Sequence, residues 1–200
     1  MSTERAAATA GDLGPDAMRA PGWLTSTVLG IERAAAVDRV GDVLAGPAAR
    51  LGQGRLGATL RGEWLGHALH PLLTDLPLGC WLASGLLDLC GGRRTRIAAR
   101  QLVGCGVLAA VPTAASGLAD WSTVSDPRVR RVGTVHAVGN VIMLVVYALS
   151  WRARRCRKHW RGVGLGLIGG ALGWATGYLG GHMSFNLGTG VGDRGLRGTG

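Results

Sequence analysis

The sequence predicts an all-α integral membrane protein, a four-helix bundle preceded by an amphipathic helix. Four apolar runs of 18 to 20 residues support this fold class, because about 20 residues of helix cross the hydrocarbon core of a bilayer. The two middle runs carry no charged residue, whereas soluble helices normally keep a polar face. The predicted spans are 71–90, 102–119, 132–151 and 163–182, within a transmembrane domain at 61–192 that is followed by a C-terminal tail at 193–200.

The region before the first span is mixed in character. Residues 1–22 are small, polar and punctuated by Gly and Pro, which is typical of a disordered tail. From 23 to 51, apolar residues recur at helical spacing with charged residues between them, and Pro47 and the glycines near 52–57 are expected to end the helix. We therefore expect an amphipathic region at 23–60 that lies along the membrane surface or covers the bundle.

The net charge of +10 is concentrated in two loops. The loops at 91–100 and 152–161 hold ten basic residues and no acidic one, and they face the same side of a four-span protein. The positive-inside rule places them in the cytoplasm and both termini outside, which predicts a multi-pass protein of the bacterial inner membrane. Nucleic-acid binding is not expected, because these charges cap membrane helices instead of lining one face with stacking aromatic residues. The partner that they indicate is the lipid bilayer.

The cysteines and the polar residues do not indicate an enzyme. The four cysteines form no CxxC pair, and three of them lie in apolar runs, where free Cys packs like a small apolar residue. No set of nucleophile, base and acid stands out. A stand-alone enzyme is therefore not expected.

The last predicted span is rich in glycine. Gly169, Gly173, Gly177 and Gly181 recur at every fourth residue, which places them on one helix face. Small residues at this spacing let two helices approach closely. The face is expected to pack against another helix, which would lie in the same bundle or in a second copy of the chain, and it would also leave room for a flat ligand such as a porphyrin.

Four of the five histidines are predicted to lie near the outer end of the bundle, at the start of span one, in span three and at the end of span four. Ionisable residues at membrane depth are costly and usually functional, and imidazole is a common metal ligand. Nearby carboxylates and amides often fix the orientation of such rings. The residues expected at this site are His67, His70, His136 and His182 as metal ligands, or the last three as haem ligands, with Asn140, Asp75 and Asp120 beside them.

The spacing of these residues does not select one chemistry. A haem with two His ligands, a copper, zinc or iron ion, or a proton relay would all use such groups. The imidazoles would also be accounted for by hydrogen bonds among themselves, to water or to lipid headgroups.

Four motifs stand together in the chain: LGHALHPLLTDLPLGCW at 65–81, SGLADW at 116–121, VHAVGNVIMLVVYALSWR at 135–152 and TGYLGGHMSFNLGTGV at 176–191. Their order and spacing resemble the bacterial membrane-protein family called domain of unknown function 2231, over roughly residues 60–192. The resemblance implies a four-helix membrane domain with His67, His70, His136 and His182 at motif positions, together with Pro71, Asp120 and Asn140. Some relatives are joined to Rieske-type iron–sulfur domains, which implies a redox setting.

These observations lead to one functional hypothesis and two alternatives. The hypothesis is that the outward-facing His/Asp cluster binds one haem b or one metal ion and acts in electron transfer with a redox partner or a respiratory complex. The first alternative is a structural or assembly subunit of a membrane complex that has no cofactor of its own. The second is a small transporter, for which Asp88 and a few hydroxyls are the available polar groups in the inner half of the spans.

Overall fold

The computed structural model describes residues 21–189, and this part of the chain is helical, without strands. Of the predicted tails at 1–22 and 193–200, residues 1–20 and 193–200 lie outside the described residues, and Gly22 is the first residue of α1. In chain order, the α-helices of the described part are α1 Gly22–Arg33, α2 Asp38–Gly52, α3 Gly54–Leu60, α4 Leu69–Cys90, α5 Arg96–Trp121, α6 Pro127–Arg155 and α7 His159–Gly181, and α7 continues into a π-helical turn, His182–Asn186.

Helices α4 to α7, the last together with its π-helical turn, are long and apolar enough to cross a membrane, and each contains one of the four predicted spans. Large apolar side chains point outward, such as Leu82, which is 68% exposed, and Trp174, which is 85% exposed. The buried positions instead include the small polar residues Ser84, Ser116 and Ser150. Large apolar side chains on the outside, together with small polar residues inside, are expected when lipid is the surrounding solvent. The prediction of an all-α membrane bundle is confirmed.

The four long helices form two hairpins that close into a ring. Helix α4 packs along α5 and α6 packs along α7, while α5 contacts α6 and α7 contacts α4. Helices α4 and α6 therefore lie on a diagonal and meet across the centre of the bundle. Across this centre, the rings of Trp81 and Tyr147 stack with centroids 4.0 Å apart and planes 7° from parallel.

The two hairpins repeat the same sequence positions. Residues of α4 correspond to residues of α6 that lie 66 positions later, and residues of α5 correspond to residues of α7 that lie 63 positions later. The pairs in the first helices are His70 with His136, Trp81 with Tyr147, Ser84 with Ser150, and Asp88 with Arg154; the pairs in the second helices are Ala99 with Gly162, Gly106 with Gly169, Thr113 with Thr176, and Gly117 with Gly180.

Equivalent residues also make equivalent contacts. The Ser84 hydroxyl donates to the Ala99 carbonyl at 3.0 Å, and the Ser150 hydroxyl donates to the Gly162 carbonyl at 2.6 Å. The hairpins are thus related by a pseudo-twofold axis that runs along the bundle, the arrangement of a parallel internal repeat in a membrane. The two residues of each pair therefore lie on opposite sides of this axis.

The glycines of α7 are used mainly inside the chain. A Cβ atom at Gly169 would lie 2.7 Å from the Tyr147 ring, and one at Gly173 would lie 3.2 Å from the Met143 sulfur. A Cβ atom at Gly177 would meet nothing within 4 Å. The first half of the predicted glycine face is therefore covered by α6 of the same chain, and its use between copies of the chain stays a prediction.

The region before α4 forms a cap on the bundle. The sequence predicts a continuous helix at 23–51, but the chain breaks after α1 and makes a 3-10 turn at Ala35–Val37 before α2. Pro47 lies inside α2, which continues to Gly52. Helix α1 packs on α6, and α2 packs on both α5 and α6. The sequence left two locations open for this region, along the membrane surface or against the bundle. The contacts of the described residues show that it lies against the bundle.

Candidate functional site

His70 lies in the first turn of α4 and is anchored to the neighbouring helix. Its Nδ1 is 2.9 Å from the carbonyl oxygen of Thr113 in α5. Because a carbonyl only accepts hydrogen bonds, Nδ1 carries the proton and the neutral ring keeps a lone pair on Nε2. Nothing in the described part of the chain hydrogen-bonds to that Nε2. The ring packs against Gly117, where a Cβ atom would lie only 2.7 Å from Nδ1.

His136 is anchored in the same way in the second hairpin. Its Nδ1 donates to the carbonyl oxygen of Thr176 in α7 at 2.8 Å, and its ring lies over Gly180. Here the Nε2 lone pair has a partner, because the side-chain amide of Asn140 lies 2.9 Å away and donates to it. Asn140 is one turn deeper in α6, as the sequence predicts, and it holds the ring in a single tautomer.

The two rings face each other across the axis of the bundle. Their centroids are 6.3 Å apart and their planes are nearly perpendicular, at 86°. A metal ion with two imidazole ligands on opposite sides, at about 2 Å each, would place the ring centres about 6 Å apart. The spacing of the rings therefore suits two ligands that share one ion.

His182 lies at the same end of the bundle but contacts the cap instead of the other histidines. Its Nε2 is 2.9 Å from a carboxylate oxygen of Glu32 in α1, and its Nδ1 is 2.8 Å from the amide nitrogen of Asn186. The sequence interpretation missed Glu32. A signal was present, because Glu32 is four residues after Val28 and so adjoins the apolar stripe of α1.

The remaining expected residues are placed separately. His67 is exposed and precedes α4, which begins at Leu69, so His67 and His70 do not share a helix face. Asp75 is exposed on α4, and Asp120 is half-buried in the last turn of α5. Within residues 21–189, no group of three or more His, Cys, Asp or Glu side chains is positioned to hold a metal ion. Of the four predicted histidines, the structure brings two together, His70 and His136.

Sequence reasoning also missed the groups that anchor the two rings. These are the carbonyls of Thr113 and Thr176 and the glycines that lie under the rings. The repeat of positions at a spacing of 63 residues between α5 and α7 was the available signal.

A family model described as "Predicted membrane protein (DUF2231)" matches residues 66–193, which confirms the predicted resemblance. The match includes all four long helices and leaves the cap outside. No curated protein and no solved structure matches the chain.

Proposed function

This chain belongs to the DUF2231 family of membrane proteins, and from that premise we propose that its His70–His136 pair binds one redox-active metal centre and carries electrons. The centre is the iron of a haem b or a copper ion. The membrane is the bacterial inner membrane, with the two basic loops in the cytoplasm.

The observation that carries the proposal is the identical anchoring of the two imidazoles. In each ring, Nδ1 donates to a backbone carbonyl and leaves the Nε2 lone pair as the ligating atom. Metal-bound histidines are held in this way by hydrogen bonds from the other ring nitrogen. His136 must release Asn140 before its Nε2 can bind a metal ion.

The number of ligands narrows the choice of metal. Structural zinc sites use four protein ligands and catalytic ones use three. Haem iron obtains four nitrogens from the porphyrin and needs only two from the protein, and imidazole also suits copper. A pair of histidines without a third ligand in the described residues therefore favours haem or copper over zinc.

One alternative is favoured by the same contacts. The hydrogen bonds from His70 and His136 also tie α4 to α5 and α6 to α7, so the pair would hold the hairpins together without any cofactor. This is the role expected of a structural or assembly subunit. A transporter is less well supported, because Asp88 is held in a buried ion pair with Arg154.

Absorption spectroscopy with metal analysis tests the proposal. The full chain is expressed with a haem precursor, or separately with copper, and purified in mild detergent. A haem bound by two histidines would give a spectrum that sharpens on reduction, whereas copper would appear in elemental analysis at one ion per chain. We expect His70→Ala and His136→Ala each to lose the centre, and His67→Ala, which changes an exposed ring, to retain it.

The alternative predicts a different result. If the wild-type chain contains neither iron nor copper under both expression conditions, the proposal is wrong. A loss of thermal stability in His70→Ala and His136→Ala without any bound metal in the wild type would support the structural role instead.

A further inference from the structure

The opposite end of the bundle holds a cavity that the proposed redox role does not use. It has a volume of about 200 Å³ and lies between the start of α5 and the turn that joins α6 to α7. Its lining residues are Arg96, Ile97, Arg100, Arg154, Arg157 and His159. Four arginines and one histidine therefore line a single small volume.

Among residues 21–189, one carboxylate reaches this cluster, and it is held by an arginine of the cluster itself. Asp88 accepts two hydrogen bonds from Arg154, at 2.9 and 2.5 Å, and both side chains are at most 4% exposed. The His159 Nε2 lies 3.9 Å from the same carboxylate. Arg154 is thus neutralised by Asp88, and a bidentate pair of this kind fixes its position.

The other three arginines of the cavity have no acidic partner in the described part of the chain. Arg96, Arg100 and Arg157 form no ion pair there, so the cavity keeps an excess of positive charge. The Nε atom of Arg96 is buried and has no hydrogen-bond partner. The Nε of Arg96 is therefore not compensated by a hydrogen bond from the described part of the chain.

Two local features hold these arginines in place. The Arg96 guanidinium lies over the ring of Trp160, 5.6 Å from its centroid. Arg157 occupies the left-handed backbone region with φ of 62°, the sole residue other than glycine to do so among those described. This is the ordinary left-handed cap at the end of a helix, closed here by the Lys158 amide, which donates to the Ala153 carbonyl at 2.9 Å, and it fixes the backbone at Arg157.

We propose that this cavity binds the phosphate group of an anionic ligand, and its place at the end of the bundle favours a phospholipid headgroup. The planar fork of guanidinium matches phosphate oxygens better than a single ammonium does. The cluster lies where the basic loops meet the spans, the level at which basic pockets between membrane helices bind anionic headgroups. The Asp88–Arg154 pair would form one wall, and Arg96, Arg100 and Arg157 would contact the phosphate.

A ligand titration on the full chain in dodecyl maltoside tests the proposal. The thermal midpoint is followed by tryptophan fluorescence while phosphatidylglycerol, phosphatidylcholine or sodium phosphate is added at constant ionic strength. We expect phosphatidylglycerol to raise the midpoint in a saturable way and zwitterionic phosphatidylcholine to have little effect. A response to sodium phosphate alone would identify a soluble phosphate compound as the ligand of the same site, and no response to either anion would overturn the proposal.

Paired variants separate a built site from diffuse charge. The double variant Arg96→Gln with Arg100→Gln should lose two charge-assisted hydrogen bonds to the phosphate. We therefore expect it to raise the half-saturating concentration of phosphatidylglycerol by at least about tenfold. The control, Arg93→Gln with Arg94→Gln, removes the same charge from exposed positions in the same loop and should change it by less than about twofold.

An equal loss in both double variants would show attraction by net charge and would contradict a specific site. If Arg96→Gln with Arg100→Gln does not fold, Arg157→Gln provides the test, because Arg157 is exposed in the turn. That single variant should weaken phosphatidylglycerol binding several-fold, and unchanged binding would overturn the proposal.

Discussion

The two hairpins of the bundle repeat their packing but not their chemistry. Each anchors a histidine on a backbone carbonyl, each buries a serine that donates to the paired helix, and each places a ring over a glycine. Across the axis, however, Trp81 faces Tyr147 and Asp88 faces Arg154. Two identical copies would place like charges opposite each other in a dry interior, which is unfavourable. The comparison indicates that the repeat fixes the positions of the helices, whereas divergence at the axis makes them complementary.

The largest effect is expected where the two hairpins differ in charge. Asp88→Asn leaves the buried Arg154 guanidinium without its counter-charge, and breaking a buried ion pair by removing one partner costs about 3–5 kcal/mol. The measurement is the free energy of unfolding in mixed micelles. Asp75→Asn, an exposed change on the same helix, is the control and should be nearly neutral.

Exchanging the two charges sharpens this test. Because Asp88 and Arg154 occupy equivalent positions, the double variant Asp88→Arg with Arg154→Asp should recover part of the stability that Asp88→Asn loses. If Asp88→Asn is as mild as Asp75→Asn, the ion pair does not hold the hairpins together.

The next effect concerns the glycines under the central aromatic stack. A Cβ atom at Gly106 would lie 2.3 Å from the Trp81 ring, and one at Gly169 would lie 2.7 Å from Tyr147. Overpacking of this kind typically costs about 1–3 kcal/mol, so Gly106→Ala and Gly169→Ala should both destabilise the bundle, the former more strongly. Thermal unfolding of the purified variants measures the difference.

Two glycines on the same hairpins serve as controls. A Cβ atom at Gly85 or Gly177 would meet nothing within 4 Å. Alanine there should be neutral or stabilising by up to about 1 kcal/mol, because it favours the helix. Equal destabilisation at all four positions would show that the aromatic stack is not the reason for the glycines at 106 and 169.

The fold was largely predictable from the sequence because the length of an apolar run records the thickness of the bilayer. All four spans and their order follow from that measure alone. The cap was less predictable. The break after α1 falls in the run Ala34–Ala35–Ala36, where local propensity favours continued helix, so it is the contacts of α1 and α2 with the bundle that define the bend.

The candidate site was predictable in its depth in the bundle more than in its membership. The positions of His70 and His136 along their spans place both at one depth, and the structure pairs them. The pairing of His182 with Glu32 joins residues that are 150 positions apart, and it depends on how the cap folds back. Helical periodicity does not carry that information, because it reports only which residues of one helix share a face.

A smaller effect tests the asymmetry between the two histidines. Asn140 donates to the Nε2 of His136, whereas the equivalent residue Thr74 donates to the backbone carbonyl of His70 at 2.8 Å and does not engage the Nε2 of the His70 ring. Asn140→Thr makes the second hairpin like the first. It should cost about 1 kcal/mol in stability through the lost hydrogen bond.

The same substitution should strengthen metal binding if the proposed function is correct. Since Nε2 of His136 no longer has to be released, the affinity for haem or copper should rise by up to about tenfold. Thr74→Asn, which offers an amide to His70, should lower it. Titration of the metal-free protein with each centre measures both, and the same affinity in both variants would contradict ligation through Nε2.

The smallest expected effect concerns the ion pair between Arg131 and Asp38, one of the contacts that join the cap to the second hairpin. Arg131 of α6 donates to both carboxylate oxygens of Asp38 at 2.8 Å, whereas the equivalent position before α4 is Leu65.

The hydrogen bonds from Arg131 lower the pKa of Asp38 below its ordinary value. Stability from this pair is therefore fully present above the pKa that Asp38 has in the unfolded chain, and it is lost as the pH falls through the lowered value. Hydrogen exchange of α1 and α2 should be slower in the wild type than in Asp38→Asn at pH 7, and the two should converge in acid once the pH has fallen through the lowered pKa of Asp38. The control is Asp42→Asn, an exposed change on the same helix, which should exchange like the wild type in neutral and in acidic solution. A difference between the wild type and Asp38→Asn that persists in acid would show that the Arg131–Asp38 pair is not what holds the cap to the second hairpin.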